Sequence, residues 1–425
     1  MKQIFVACPT PRDIKELPRL PDFSEYSFIH QDFITDDLEK LIYEDNIEQA
    51  VALDIAAMVD AIVEKYSDGS LAGIMSSDDY PGINIASAVA KRLGLSGPSP
   101  EKVLLCQHKY YARRAQQKHV PEAVPRFGII GMDDADFTSP PLTYPFFLKP
   151  VKSVFSCFAQ TISSDSELRH VLQHKLPHRD FFVPFNQLVE QYCSFEHDAY
   201  YMLAEEMLTG LQLTIEGYSF QGEIDFFGIV DSIMFPGTLS FKRFEYPSKL
   251  PEEVQNRIKY IARRCMKGIG FDNGLFNIEF FYNPDSNALH IIEINPRMAS
   301  QFADLYEKVD GTNSYEALVA IAVNKRPVLK KREGRYKVAG SFVLREFENK
   351  LVKKVPNAEQ ISQVHEQFED LRLEIFAEEG KHLSFTLQDG KSYRYGLIHL
   401  GGNSQDELEG NVQACTKMLD IQFEL

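Results

Sequence analysis

FNIEFFYNPDSNALHIIEINPR, residues 276–297, carries two short apolar runs around Asn283-Pro284-Asp285-Ser286-Asn287. Those five residues are dense turn formers, so the stretch predicts a β-hairpin with strands over 275–282 and 288–294. Successive side chains on a strand point to opposite faces. Asn277, Glu279 and Phe281 therefore share one face, and Ile278 and Phe280 take the other. Glu293 and Asn295 are likewise two apart and share a face. A solvated hairpin also alternates polar residues. Here, however, the acids sit among Phe276, Ile278, Phe280, Phe281, Ile291, Ile292 and Ile294, a setting that places carboxylates in a site. Two carboxylates and an amide oxygen are hard ligands suited to Mg²⁺, which keeps waters and binds phosphate oxygens. Glu279, Glu293 and Asn295 are thus the predicted metal ligands. Arg297 follows with a guanidinium fork suited to a phosphate or carboxylate.

The rest of the composition narrows the class. A chain of 425 residues is long enough for two or three domains. It is 44% hydrophobic and 25% charged, an ordinary globular balance. The formal net charge of −16 argues against a nucleic-acid partner, which needs a basic surface. No apolar run reaches the roughly 18 residues that span a bilayer, so no membrane partner is expected. The N-terminus has no h-region or cleavage site of a signal peptide. The cysteines, Cys8, Cys106, Cys157, Cys193, Cys265 and Cys415, are scattered without a CxxC pair, a reduced pattern that predicts a cytoplasmic protein.

Along the first hundred residues, Ile4 to Cys8 and Leu71 to Met75 read as strands. Ile47 to Lys65 and Asn84 to Leu93 read as helices, the second stopped near Gly94. That order predicts a small parallel α/β unit over 1–100. Ligands usually sit in loops at the carboxyl ends of such strands. Asp78-Asp79-Tyr80-Pro81-Gly82 is therefore a candidate contact, although a plain solvated turn is the favoured reading. Residues 100–125 predict one helix, 144–162 two strands around a polar loop, and 164–175 a helix capped by Ser164 or Asp165. The aromatic and His-rich segment 176–203 has no clear pattern. Residues 211–217 and 223–230 alternate like strands. Residues 252–268 place Val254, Ile258, Ile261 and Cys265 on one helix face. After Lys330-Lys331-Arg332-Glu333, read as a solvated linker, strands at 337–347, 382–387 and 392–400 predict a small α+β subdomain over 331–425. His170, His174, His178 and His197 lack compact metal spacing and read as surface. Cys157 and Cys193 read as packing residues.

Two lysines precede the hairpin in apolar settings: Lys109 in CQHKYYARR and Lys149 in TYPFFLKPV. Between them and the hairpin lies AEEMLTGLQLTIEG, residues 204–217, an acidic pair, a short apolar step and Gly210. This predicts a hinge whose backbone groups can meet an adenine edge. Lys109, LKP at 148–150, EEML at 205–208 with Gly210, NIEF at 277–280 and EINPR at 293–297 run in an order that resembles the ATP-grasp superfamily. Within it the set is most similar to carboxylate–amine ligases with a biotin-carboxylase-like core. The motifs span about residues 100–325. The N-terminal unit looks like a pre-ATP-grasp domain.

The resemblance implies an α/β and α+β architecture. It comprises an ATP-grasp domain over 101–330 with a lid subdomain near 125–203, between the N-terminal and C-terminal units. It implies that Lys109 and Lys149 contact phosphate and that Glu205 is the hinge acid near adenine. The backbones of Glu206 and Leu208 would contact adenine, and Gln212 would replace a ribose-binding Glu. Glu279, Glu293 and Asn295 fall on the metal ligands, with Mn²⁺ able to replace Mg²⁺. Arg297 falls near the γ-phosphate and the substrate carboxylate, so Arg297 and Lys149 are the catalytic candidates. The implied reaction activates a small carboxylic acid, such as an amino acid, as an acyl phosphate for attack by an amine, with ATP converted to ADP and phosphate. A homodimer is the family-level expectation. Alternatives are a carboxylase-like reaction on bicarbonate and a nucleotide-binding protein with weak or no catalysis. Two departures bear on them. The phosphate loop, Lys152-Ser153-Val154-Phe155-Ser156-Cys157-Phe158, has no glycine, leaving Ser153, Ser156 and Lys152 as substitutes. Met298-Ala299-Ser300-Gln301 also replaces a glycine pair and implies a substrate pocket of unusual shape.

Overall fold

The computed structural model describes residues 2–31, 53–153, 157–238, 240–388 and 392–424. Ser156 and residues 47–52 of the first expected helix lie outside the described residues.

Three parallel strands open the chain: β1 (Lys2–Ala7), β2 (Tyr26–Gln31) and β3 (Leu71–Met75), in the order β2-β1-β3. The helix Gly82–Leu93 follows β3. Gly94 ends it with φ +67°, a left-handed conformation that glycine adopts without the Cβ penalty. The expected helix over 100–125 is instead two, Pro100–Gln107 and Lys109–His119. His108 breaks it with extended backbone, φ −83° and ψ 94°. Its ring is fully buried, with Nε2 3.0 Å from the carbonyl of Asp198. The Lys109 N–H leaves the helical ladder and donates to the Val151 carbonyl at 2.9 Å. Tertiary partners thus override local helix propensity, and the break starts the second helix at Lys109.

A four-stranded antiparallel sheet comes next, made of β4 (Phe127–Gly131), β5 (Phe146–Pro150), β6 (Gln160–Ile162) and β7 (Tyr201–Glu206). Its order is β4-β7-β5-β6. The helix Asp165–His174 is capped by Ser164, whose Oγ accepts from the Glu167 N–H at 3.3 Å. The segment without a clear pattern resolves into the helix Val183–Tyr192 and β7.

The largest sheet holds β8 (Leu211–Phe220), β9 (Glu223–Met234), β10 (Phe241–Tyr246), β11 (Gly274–Asn283), β12 (Ala288–Asn295) and β13 (Val338–Glu346). Of the strands that follow, β14 (Leu351–Lys354) and β18 (Gln422–Glu424) pair with each other. The others, β15 (Arg372–Ile375), β16 (Leu387–Gln388) and β17 (Ser392–Gly402), join the large sheet. Its path runs β12-β11-β8-β9-β10-β13-β17-β15, so the C-terminal strands extend the sheet that carries the hairpin. Where the sequence suggests a strand over 382–387, the chain forms a tight helical turn, Leu383–Thr386, before the two-residue β16.

The helix Glu252–Ile269 buries Val254, Ile258, Ile261, Ala262, Cys265, Met266 and Ile269. These join Phe276, Ile278, Phe280 and Ile291 in one apolar cluster. Those four hairpin residues are 0% exposed, and each such burial contributes about 1.5–3 kcal/mol. This apolar face commits the opposite face, with its acids, to the cleft side. A second anchor joins the C-terminal strands to the helix Ala303–Asp310. There Asp304 receives Lys308 Nζ at 2.7 Å and lies 2.7 Å from His399 Nδ1.

Candidate functional site

The antiparallel register places Glu279 opposite Glu293 and Asn277 opposite Asn295, with an irregularity just after Glu279. The Asn295 amide nitrogen donates to Asn277 Oδ1 at 2.9 Å and lies 3.4 Å from Glu279 Oε1. Its oxygen is therefore the atom left for a cation. From β8, Gln212 donates to Glu279 Oε2 at 3.0 Å. Burial, and then the neighbouring Glu293 charge, push the Glu279 carboxyl up to about 7. Burial also opposes ionisation of Glu293, but Lys109 and Lys149 outweigh it and hold that carboxyl below the ordinary range. Lys109 Nζ lies 3.6 Å from Glu293 Oε2. Two facing carboxylates, one of them reluctant to ionise, fit a divalent cation that would relieve their repulsion. Among the described residues no cluster of three or more His, Cys, Asp or Glu is spaced to hold a metal by itself. The hairpin supplies two carboxylates and an amide, a partial shell of the kind Mg²⁺ completes with water and phosphate oxygens.

Lys149 lies one residue before the end of β5 and is 6% exposed. Its Nζ contacts Glu205 Oε2 at 2.7 Å, and Arg113 Nε binds the other Glu205 oxygen. Arg113 also donates to the Ile292 carbonyl at 2.6 Å, tying the four-stranded sheet to β12. Burial opposes ionisation of Glu205, yet Arg113 and Lys149 bring its carboxyl down to about 2. The side chain of Glu205 is thus spent on orienting Lys149. The sequence reading missed Arg113. Its available signal is the i,i+4 spacing from Lys109, which puts both cations on one helix face. Glu206 accepts from the Arg126 backbone N–H and Nε, both at 2.9 Å. Leu208 lies half-buried in the connection from β7 to β8. In that connection Gly210 has φ +135°, and a Cβ there would come within 2.3 Å of the Tyr282 carbonyl oxygen. Gly210→Ala is therefore expected to displace the connection. The cost should be about 1–3 kcal/mol in urea unfolding, with weakened nucleotide binding by calorimetry. Unchanged affinity and stability would remove the hinge role.

In the phosphate loop Lys152, Ser153, Cys157 and Phe158 are described. Lys152 is 2% exposed, with Nζ 3.7 Å from Asp79 Oδ2 and 4.5 Å from the centroid of the Tyr80 ring. Burial brings its ammonium down to about 8. Arg297 Nε lies 3.4 Å from Asp79 Oδ1, so one carboxylate faces both cations. The favoured reading of Asp78–Gly82 as a solvated turn is incorrect. Tyr80 is 7% exposed, Gly82 is buried, and Gln107 Nε2 donates to the Asp79 carbonyl at 2.6 Å. The packing of the helix Gly82–Leu93 on its neighbours draws the turn in.

Glu216 is a further residue not singled out from sequence. It is 0% exposed, and its Oε2 accepts from the Ala299 N–H at 3.1 Å, which pins the Met298–Gln301 loop. Burial pushes its carboxyl up to about 8. Its two-residue steps from Gln212 and Thr214 put it on the acid-bearing face, the signal by which it could be found. His170, His174 and His178 are exposed and His197 is half-buried against Tyr110 and Tyr201. No disulfide joins any of the six cysteines among the described residues. The structure thus gathers Lys109, Lys149, Lys152, Glu205, Gln212, Glu279, Glu293, Asn295 and Arg297 along the hairpin and the elements packed against it.

Residues 142–304 match the family of ATP-grasp domains. An uncharacterised protein y4rH of Sinorhizobium fredii is 23% identical over 299 residues, 67% of this chain and 56% of that protein. Carnosine synthase 1 of Gallus gallus is 35% identical over 100 residues, 23% of this chain and 10% of that protein. The matched stretches thus span about half or less of these curated relatives. The L-amino acid ligase of Bacillus licheniformis has a similar structure, with TM-score 0.71 and 17% identity, covering 100% of this chain and 99% of that one.

Proposed function

We propose, for a chain that belongs to the ATP-grasp superfamily, that it is an ATP-dependent ligase joining a small carboxylic acid to an amine through an acyl phosphate. The observation that carries the reading is the pairing of Glu279 with Glu293 in register, with Lys109 on one side and Arg297 following β12. Such a site suits phosphoryl transfer, in which catalysis is mostly positioning and charge neutralisation.

In the proposed reaction a substrate carboxylate oxygen attacks the γ-phosphorus and the bond to ADP breaks. An amine nitrogen then attacks the acyl carbon, phosphate departs, and the nitrogen loses a proton. Lys109, Lys149 and Arg297 offset the charge on the transferred group. Lys152 replaces the backbone N–H groups that a glycine-rich loop would offer. Arg113 and Glu205 hold Lys149 in place. Glu206 and Leu208 frame the adenine end through their backbones, and Gln212 offers an amide to a ribose hydroxyl. Glu279, Glu293 and Asn295 would hold Mg²⁺ or Mn²⁺, which would supply charge neutralisation at phosphate oxygens.

The name of the L-amino acid ligase noted above favours an amino acid as one substrate. Homodimerisation is proposed from the superfamily resemblance. Among the described residues no helix is long and apolar enough to cross a membrane. The test is a screen of paired acids and amines for release of ADP and phosphate. The ligase reading expects release that requires both an acid and the cation. Tight ATP binding with no acid-stimulated release would favour a nucleotide-binding module. Release stimulated by bicarbonate alone would favour carboxylase-like chemistry.

A further inference from the structure

A second group of cations lies where the N-terminal helix, the loop after Arg297 and the C-terminal strands meet. Arg12 comes from the helix Pro11–Glu16, Arg345 from β13 and Arg394 from β17. Arg345 and Arg394 face each other in the antiparallel register, and like charges so placed destabilise a strand pair unless something compensates them. The carboxylate beside them is Glu374 of β15, and Arg12 takes both of its oxygens, Nε to Oε1 at 2.5 Å and Nη2 to Oε2 at 3.0 Å. The Arg394 side chain is half-buried and makes no hydrogen bond or ion pair among the described residues. Its guanidinium instead lies 4.9 Å from the centroid of the Phe376 ring. Burial, then Arg12 and Arg345, bring its basicity down to about 10.

The cluster borders the reaction site. Arg12 Nη1 donates to Ser300 Oγ at 3.2 Å. Ser300 follows Arg297 by three residues, a reach of at most about 11 Å of chain. It also follows Ala299, which Glu216 pins. A desolvated guanidinium without a hydrogen-bonded carboxylate partner, stacked on an aromatic face, is suited to a planar oxyanion. The carboxylate that becomes phosphorylated belongs between Lys109 and Arg297, beside the acids of the hairpin. An anion at Arg394 is therefore a group on the other reactant.

We propose that Arg394, with Arg12 beside it, forms an oxyanion subsite that binds a carboxylate or phosphate carried by the amine-bearing substrate. The assignment to the amine substrate rests on the ligase reading, while the anion site itself does not.

The experiment has two arms. In the first, acetate and inorganic phosphate are titrated by calorimetry into the full chain saturated with Mg·ADP. Wild type, Arg394→Gln, Arg394→Lys and Arg297→Ala are compared, with unfolding midpoints measured for each. The subsite expects at least a tenfold loss of oxyanion affinity in Arg394→Gln, a smaller loss in Arg394→Lys and retention of this binding in Arg297→Ala. Equal affinity in wild type and both folded Arg394 variants, or no binding in wild type, overturns it. In the second arm, ADP release is compared for a free amino acid, its carboxamide and a phosphorylated amine as the nucleophile. A preference of tenfold or more in kcat/KM for an anionic nucleophile, lost in Arg394→Gln through KM, supports the assignment and shows which oxyanion is bound. Equal use of the carboxamide overturns it. Arg394-dependent anion binding with no ADP release from any pair overturns the ligase reading alone.

Discussion

Glu293→Ala is expected to lower Mg-dependent ADP formation by at least about a thousandfold, equivalent to about 4 kcal/mol of lost transition-state stabilisation. Glu293 is the residue on which the two halves of the site converge. It faces Glu279 across the ladder, and it is the carboxylate that Lys109 approaches from the neighbouring helix. Removing it leaves one carboxylate and one amide for the cation. It also frees Lys109 to swing away from the phosphates. The loss should appear in kcat, because an interaction that matters most as charge develops on the transferred group is made in the transition state. Glu293→Asp keeps the charge but shortens the reach by one methylene, and should fall between the two. ATP binding measured without divalent cation should change little. Near-wild-type turnover in Glu293→Ala at saturating Mg²⁺ would remove the hairpin from the mechanism.

The second large effect is on stability. Arg113→Ala should lower stability to urea by about 3–5 kcal/mol, the usual cost of stripping one partner from a buried ion pair. Arg113 and Glu205 are 2% and 4% exposed, so water cannot replace the lost guanidinium. Lys149 alone would remain to hold the carboxylate, and its Nζ would be drawn from the nucleotide side. The pH profile offers an independent readout. The Glu205 carboxyl is depressed from about 4.5 to about 2 in the folded chain. Its contribution is fully present above about pH 4.5 and is lost as pH falls through 2. The wild type should therefore lose stability across that window, and Arg113→Ala should show a shallower loss there. Identical acid profiles for the two proteins would show that the ion pair does not set the depression. Nucleotide affinity should fall with Arg113→Ala as well, because Lys149 loses its orientation.

The hairpin was legible because its information is local. Alternation of two tells which side chains share a face, and a dense turn tells where the chain reverses. The helix Glu252–Ile269 was legible for the same reason, from a repeat of 3.6. Lys109 and Lys149 stood out as cations in apolar runs. The ion pairs between remote segments were not legible. Arg113 meets Glu205 over 92 positions of separation, and Arg12 meets Glu374 over 362. The break at His108 was hidden too, because the buried contact that opposes helix propensity comes from Asp198. Short-range periodicity, set by backbone geometry and the sorting of apolar groups from water, therefore established the acid-bearing hairpin and the order of elements around it. Only the packed chain decided which charges face one another and which stay unmatched, as at Asp79 and Arg394. The strength of an ionic contact depends on distance and on exclusion of water, and both arise only when remote segments are brought together.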